Sequence, residues 1–251
     1  MVANDDIVQS YIAGLARARD SFLALREELL TAHPDWQDGK DARLNVLVKT
    51  VNLIVSAIVN LRLTQYYAVN PLFWSTAIAP HLNTPELIAP QLFELQTFYR
   101  FGFFQFLTSA VEHGLRAIQP LVVDGVDSQS DQAYWKIYTS VFRKSLKPDA
   151  AARHINLLAF LSALRNTIHN NGFYYPLKHE NADFRVGDKR YIMRDGERVD
   201  FLSWENMIDW LPLIRDALSD LLHAPSVAQQ RYISDLASFP FPDAEVRSLP
   251  A

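Results

Sequence analysis

The stretch LLAFLSALRNTIHNNG, residues 157–172, determines the class of fold. Its apolar residues recur every three or four positions, which is the spacing of one face of an α-helix. The positions of this stripe are Leu157, Leu161, Leu164 and Ile168. Gly172 follows the last of them, and glycine readily adopts the left-handed conformation that ends many helices. The stretch therefore predicts a core helix that stops at a polar turn.

Helical spacing recurs along most of the chain. Helices are predicted over residues 5–32, 41–69, 84–118, 134–147, 148–172, 203–221 and 226–237. Strands and helices do not alternate, so the sequence predicts an all-α bundle of about six to seven helices. We expect one helical domain over residues 1–251, with a Pro-rich tail at residues 238–251.

Two segments differ from this pattern, and one of the helices has an unusual composition. Residues 70–85 contain prolines and apolar side chains, which predicts a loop packed against the helices. Residues 183–201 predict a small β-hairpin, because side-chain types alternate on both sides of Asp195-Gly196, a strong turn signal. The helix over 84–118 is rich in aromatic residues on all sides, so we expect its rings to be core and Pro120 to end it.

The composition is that of an ordinary folded protein. Of the 251 residues, 49% are hydrophobic and 21% are charged, and the net charge is -4. An acidic total argues against broad electrostatic capture of nucleic acid or anionic membranes, while it leaves room for a local basic patch. The chain has no cysteine, which excludes disulfides and thiolate metal sites and fits a reducing compartment.

The sequence predicts neither a secretion signal nor a membrane span. Residues 1–6 are acidic and polar rather than the start of a signal peptide. The longest uncharged run, residues 63–81, contains two prolines and many polar residues. We therefore expect a cytoplasmic protein without a membrane partner.

The end of the predicted core helix concentrates polar side chains. Arg165 and His169 are four residues apart, so they project from one face, one turn from each other. On the flank of the apolar stripe, a histidine can act as acid or base near neutral pH. An arginine there offers planar donors that suit a phosphate. The pair supplies the two groups that phosphodiester cleavage requires at minimum, a proton carrier and a cation that stabilises charge, without a metal or other cofactor.

A helical bundle whose late helix carries Arg165-Asn166 followed by His169 resembles the HEPN superfamily, the higher eukaryote and prokaryote nucleotide-binding domains. The family's motif has an arginine, then usually a polar residue such as asparagine, then a histidine after four to six intervening residues. In this chain three residues lie between Arg165 and His169. The resemblance covers this motif and the bundle class.

The resemblance implies a metal-independent endoribonuclease, as found among toxins of toxin–antitoxin pairs and antiviral effectors. His169 would move a proton at the RNA 2′-hydroxyl or at the leaving oxygen, while Arg165 would stabilise the charge on the phosphate. Asn166 and Asn170 would orient the phosphate or the motif of a second subunit, since dimers of the family bring two motifs together. The implied partners are RNA or a nucleotide, a second copy of the chain, and an antitoxin-like protein.

Two further groups of basic residues are candidates for contacts with RNA phosphates. One group surrounds the start of the core helix and comprises Arg143, Lys144, Lys147 and Arg153. From it we predict Lys144 and Arg153 as substrate-binding residues, beside Asn166 and Asn170. The other group lies in the predicted hairpin and comprises Lys189, Arg190, Arg194 and Arg198. Charged hairpin residues also serve simply to keep an exposed strand edge from pairing.

The same residues have a purely structural interpretation. Arg165 would pair with an acid such as Glu112, and His169 would cap the last helical turn. The chain would then be a non-catalytic helical module for dimerisation or partner binding. Glu112 and His113 could also share a metal with His154 or His169, but no pair has the spacing of a known motif, so we predict no metal.

Overall fold

The computed structural model describes residues 5–36, 40–68, 70–126, 132–230 and 232–235. In these residues the chain is mainly α-helical with one two-stranded sheet, which confirms the predicted class. The helices are α1 (Asp5–Ala32), α2 (Ala42–Ala68), α3 (Pro71–Phe73), α4 (Pro85–Val122), α5 (Tyr134–Ser145), α6 (Pro148–His169), α7 (Trp204–Leu222) and α8 (Pro225–Ala228). The strands are β1 (Ala182–Val186) and β2 (Lys189–Met193), and a π-helical turn, Trp74–Ile78, follows α3.

Helix α2 lies between α1 and α4. As the spacing predicts, α1 contributes a stripe of fully buried side chains: Leu15, Phe22, Leu25 and Leu29. On the other side α4 approaches α2 closely at Gly114, where a Cβ atom would lie 3.1 Å from Cβ of Val46. A glycine at this position therefore allows the close packing of two core helices.

Helix α2 is also, among the described helices, the one that is long and apolar enough to cross a membrane. However, 56% of its most apolar window is buried inside the protein. Such burial is typical of the core helix of a bundle, as the sequence predicts for α2.

Helix α4 has 38 residues and is about 57 Å long. It continues through Pro120 to Val122, so the prediction that this proline ends the helix is wrong. Pro120 lies in the last turn, where the missing N–H costs little more than one hydrogen bond. Its second half contacts α5 at Gln119 and α6 at Glu112, and α2 runs along both halves, but much of the first half is exposed.

The prediction that the aromatic residues of α4 belong to the core is wrong for about half of them. Phe103 and Phe104 are buried. The rings exposed to solvent are Phe93, Phe98, Tyr99 and Phe106, with exposed fractions from 41% to 72%. Aromatic identity alone does not determine burial, because the neighbouring helices leave these four positions of α4 uncovered.

The segment predicted as a packed loop, residues 70–85, is partly helical, with α3 and the π-helical turn. It does pack, because Trp74, Leu82 and Ile88 form a small separate apolar cluster. The indole Nε1 of Trp74 donates to the carbonyl oxygen of Tyr67 at 2.8 Å, which joins the cluster to the end of α2.

The β-hairpin is present, but its turn lies earlier than predicted. β1 and β2 pair antiparallel around Gly187-Asp188, and Gly187 has a φ of +58°. Two-residue hairpin turns need positive φ, which glycine adopts without strain. Asp195-Gly196 instead forms a second turn after β2. The hairpin packs on the bundle through Tyr191, whose hydroxyl accepts a hydrogen bond from Trp210 Nε1 of α7 at 3.1 Å.

The helix predicted over residues 226–237 is wrong in its described part, where α8 spans only Pro225–Ala228. Beyond α8 the chain turns back to the start of α2, and the amide of Ala42 donates to the carbonyl of Ile233 at 2.8 Å. The amide of Asp235 likewise donates to the carbonyl of Lys40 at 3.2 Å. The predicted tail, residues 238–251, lies outside the described residues.

A buried ion pair holds this junction together. Asp41 and Arg43 have fully buried side chains, and their carboxylate and guanidinium meet at 2.6 Å. Arg43 Nη1 also donates to the carbonyls of Val227 and Gln230, at 3.0 Å and 2.7 Å. Its guanidinium carbon lies 3.5 Å from the ring centre of Trp36. The charge of Arg43 is thus fully compensated inside the protein.

Candidate functional site

The motif of Arg165, Asn166 and His169 lies at the carboxyl end of α6, where the chain reverses direction. Asn170 caps the helix, and Asn171 and Gly172 follow with φ values of +54° and +88°. The amide of Gly172 donates to the carbonyl of Thr167 at 2.8 Å. The sequence prediction of a left-handed stop at Gly172 is confirmed.

The segment after the motif pairs with the segment after β2. The amide of Val199 donates to the carbonyl of Gly172 at 2.8 Å, and the amide of Tyr174 donates to the carbonyl of Glu197 at 3.0 Å. These bonds tie the end of α6 to the hairpin region. The motif is therefore held by backbone contacts on both sides of the turn.

Arg165 forms an ion pair with Glu112 of α4, with Nη1 and Oε2 at 2.5 Å. The other carboxylate oxygen of Glu112 accepts from Arg116 Nη2 at 2.6 Å. Two guanidinium groups therefore share one carboxylate, and the three side chains together carry an excess of one positive charge. Arg165 and Arg116 retain exposed fractions of 24% and 32%. The pairing with Glu112 matches the structural interpretation, and the excess charge leaves capacity for an anion.

Tyr134 of α5 lies beside this charged group. Burial raises the pKa of its phenol far above the usual range, and the nearby Glu112 carboxylate raises the pKa further. Burial also raises the pKa of Tyr138 to about 12. Both phenols therefore stay protonated at neutral pH. The sequence interpretation missed Arg116 and Tyr134, and the only signal for the former is the four-residue spacing of Glu112 and Arg116.

His169 is exposed in the last turn of α6, one turn beyond Arg165. Within the described part of the chain its ring makes no hydrogen bond or ion pair, so the predicted capping of the helix by this side chain is not found. An exposed imidazole can reach a substrate without first breaking a contact.

A cavity of about 400 Å³ opens beside the motif, on the neighbouring face of α6. Asn166 and Asn170 line it, together with Tyr174, Tyr175 and Lys178 from the segment that follows. Arg165 and His169 each precede one of these asparagines, so they lie about 100° further round the helix. The predicted site is thus divided between a charged face and an adjoining cavity with amides and aromatic rings.

Two predicted substrate-binding residues lie elsewhere. Arg153 precedes Arg165 by twelve residues, which is about 18 Å along the helix, and it pairs with Asp220 at 3.2 Å. The same carboxylate oxygen lies 2.8 Å from Nε2 of the buried His154. Lys144 is exposed near the end of α5, before α6 begins. The structure does not bring Arg153 or Lys144 together with Arg165 and His169.

The four basic residues that the sequence offered as candidates in the hairpin region are each paired with an acid. The pairs are Lys189–Asp209, Arg190–Asp183, Arg194–Glu197 and Arg198–Asp200. The hydrogen bond from Arg190 holds the pKa of the Asp183 carboxyl below its usual range. These side chains form mixed-charge edges, which leaves little excess charge for an RNA phosphate.

The part of the chain that the structure describes contains no group of three or more His, Asp or Glu side chains that could hold a metal ion. Glu112 and His113 point to different partners. Glu112 binds the two arginines, while Nε2 of His113 lies 2.6 Å from the buried Asp235 carboxylate.

Comparison of the chain with protein-family models, with curated proteins and with solved structures finds no match.

Proposed function

We propose that this chain is a HEPN-like cytoplasmic protein that binds RNA at the carboxyl end of α6 and cleaves it without a metal. The observation that carries the proposal is the combination of an exposed His169 with a charged group that has one cation in excess. A phosphate needs a fixed cation, and cleavage needs a proton carrier within reach of it.

In the proposed reaction, the RNA 2′-oxygen attacks the adjacent phosphorus while the bond from phosphorus to the 5′-oxygen breaks. His169 takes the proton of the 2′-hydroxyl while water protonates the departing 5′-oxygen, or His169 protonates that oxygen while water takes the proton of the 2′-hydroxyl. Arg165 donates hydrogen bonds to the phosphate oxygens as negative charge develops on them. The products are a 2′,3′-cyclic phosphate and a 5′-hydroxyl, and no cofactor is needed.

The cavity beside the motif would hold a neighbouring nucleotide. Its volume of about 400 Å³ is within the range of small-ligand sites. The amides of Asn166 and Asn170 can bond to a base edge or to the sugar, and Tyr174 and Tyr175 offer rings for stacking. Lys178 adds a cation for the next phosphate.

A second candidate function is a non-catalytic interaction module, and a specific contact favours it. Arg165 already has a carboxylate partner in Glu112, which is what a purely structural arginine would have. In that case the motif stabilises the end of α6, and binding to a protein such as an antitoxin takes place on another surface.

The test is incubation of the wild-type protein with a panel of single-stranded and structured RNAs in EDTA. We expect cleavage products with cyclic phosphate ends, and we expect Arg165→Ala to lower the cleavage rate. RNA left intact by the wild type across the whole panel would refute the enzyme proposal. RNA binding without cleavage would leave a nucleotide-binding relative, and neither binding nor cleavage would favour the interaction module.

Replacing Glu112 by glutamine distinguishes the two functions. If a phosphate competes with Glu112 for Arg165, Glu112→Gln should raise RNA affinity by about three- to tenfold, with a steeper salt dependence. The substitution should also lower the free energy of unfolding by roughly 1–3 kcal/mol, since it leaves two partly buried guanidinium groups side by side. Filter binding over a range of salt concentrations and urea unfolding measure the two effects.

Glu205→Gln is the matched control, because Glu205 is an exposed glutamate outside the site. It should leave both quantities near the wild-type values. Lower stability of Glu112→Gln with unchanged RNA affinity would mean that Arg165 is structural only.

A further inference from the structure

The outer face of α2 and α4 exposes a continuous apolar surface. Its exposed side chains, at 38–72% exposure, are Val55, Val59, Leu63 and Tyr66 of α2 and Leu95, Phe98, Tyr99 and Phe106 of α4. We call these eight residues the α2–α4 face. On each helix every one of these residues lies at a helical spacing of three, four or seven residues from another of them, so each helix contributes one stripe along one side.

The two stripes lie side by side, at the same level along the axes of the two helices. Gln96 of α4 donates to Asn60 and Thr64 of α2, at 3.2 Å and 2.6 Å, which fixes the antiparallel register of the helices. In this register the stripe of α2 runs beside the stretch from Leu95 to Phe106, which spans about 17 Å along α4. The face is therefore one contiguous patch.

The size of the patch matches one side of a stable dimer. Exposed rings of this kind present roughly 150–250 Å² each when fully accessible. The four rings of the face, at 41–72% exposure, therefore present roughly 500 Å². The four smaller aliphatic side chains, at 38–50% exposure, bring the total to the order of 800 Å², which is what each partner contributes to a standard interface. Monomeric proteins rarely expose a contiguous apolar patch larger than a few hundred Å².

Gly102 lies in the middle of the α4 stripe, between Tyr99 and Phe106. A Cβ atom at this position would meet nothing within 4 Å, so packing within the chain does not require a glycine here. A glycine inside a helix is less favourable than alanine by roughly 1 kcal/mol. Because Gly102 has no side chain, it leaves a notch between the rings of Tyr99 and Phe106, which a side chain of another molecule can fill.

The charges at the edge of the face are complementary to those of a second copy. Arg62 lies on the α2 edge and Glu94 on the α4 edge at nearly the same height, and both are exposed. Neither forms an ion pair with another residue that the structure describes. A two-fold axis parallel to the helices places α2 of one copy opposite α4 of the other. This arrangement brings Arg62 to Glu94 of the second copy twice.

From this face we infer that the chain forms a symmetric dimer in which α2 and α4 of two copies make a four-helix bundle. The notch at Gly102 receives a ring from the second copy, and Arg62–Glu94 pairs close the rim. This dimer does not depend on the proposed ribonuclease activity, because its surface contains none of the motif residues.

Sedimentation equilibrium of the full chain tests the dimer. We expect a dimer at about 10–50 µM for the wild type. Phe106→Glu and Val59→Glu should each weaken the dimer at least tenfold, because they place a carboxylate in its apolar interface. The matched control is Trp135→Glu on α5, which replaces an equally exposed ring outside the face and should leave the dimer intact. Thermal melting followed by circular dichroism verifies that each variant is folded.

A charge exchange tests the identity of the partner. Arg62→Glu and Glu94→Arg should each weaken the dimer by about three- to tenfold, since each creates like-charged pairs at two symmetric places. The double variant should recover wild-type affinity within about twofold, which only a second copy explains.

The inference would be overturned by a wild-type monomer at about 200 µM, by a dimer that the face variants do not affect, or by a double variant that does not recover. It would also be overturned by a dimer that forms only when residues 236–251 are removed, or by binding of lipid vesicles through the face in place of dimerisation.

Discussion

Replacement of His169 by alanine is expected to lower the rate of RNA cleavage by about 10²- to 10⁴-fold, the usual contribution of a general acid or base. RNA affinity should change by less than about threefold, because Arg165 and the cavity beside the motif remain in place. Cleavage in EDTA under single-turnover conditions, with binding measured separately, resolves the two quantities.

The position of His169 makes this a clean experiment. Its side chain is exposed, so its removal creates no cavity and the fold should be unaffected. His81→Ala is the matched control, because His81 is an exposed histidine outside the site. An equal cleavage rate for wild type and His169→Ala would show that the histidine carries no proton in the reaction, or that a contaminating nuclease is responsible.

Replacement of Asp41 by alanine is expected to lower the free energy of unfolding by about 3–5 kcal/mol. The substitution leaves the guanidinium of Arg43 fully buried without its carboxylate, and a buried unpaired charge is among the most destabilising changes. Arg43 Nε and Nη2, which donate to Asp41 at 2.9 Å and 2.6 Å, would lose their acceptors. Chemical unfolding with urea measures the loss.

Asp183→Ala is the matched control for Asp41→Ala. Asp183 also pairs with an arginine, Arg190, at 2.6 Å, but both side chains are more than half exposed. Exposed pairs contribute little to stability, so this variant should unfold close to the wild-type midpoint. Similar losses for both variants would contradict the distinction between buried and exposed pairs.

The sequence predicted elements with a strong periodic signal well. The bounds of α1 agree with the prediction at both ends, since the apolar stripe is regular and Pro34 follows its last turn. The hairpin was found, but the position of its turn was not. Gly187-Asp188 and Asp195-Gly196 are both good local turn signals, and only the pairing of β1 with β2 distinguishes them.

Features that depend on contacts between distant parts of the chain were predicted less well. The exposure of Phe98 and Phe106 depends on which positions of α4 the neighbouring helices cover, which no local pattern encodes. For the candidate site, the sequence pointed to Arg165, to His169 and to the pairing of Arg165 with Glu112. The interpretation overlooked that Arg116 shares this carboxylate, although the four-residue spacing of Glu112 and Arg116 on one helix is a local signal for that pair.

The ion pair at the start of α2 has a consequence for the order of folding. Two hydrogen bonds of Arg43 reach carbonyls that are 184 and 187 residues later in the chain. During synthesis, α1 and most of α2 leave the ribosome long before Val227 and Gln230 exist. Closing so long a loop is entropically costly and slow. The base of α2 is therefore completed only after the chain has been synthesised as far as Gln230, and until then the buried guanidinium of Arg43 lacks two of its acceptors.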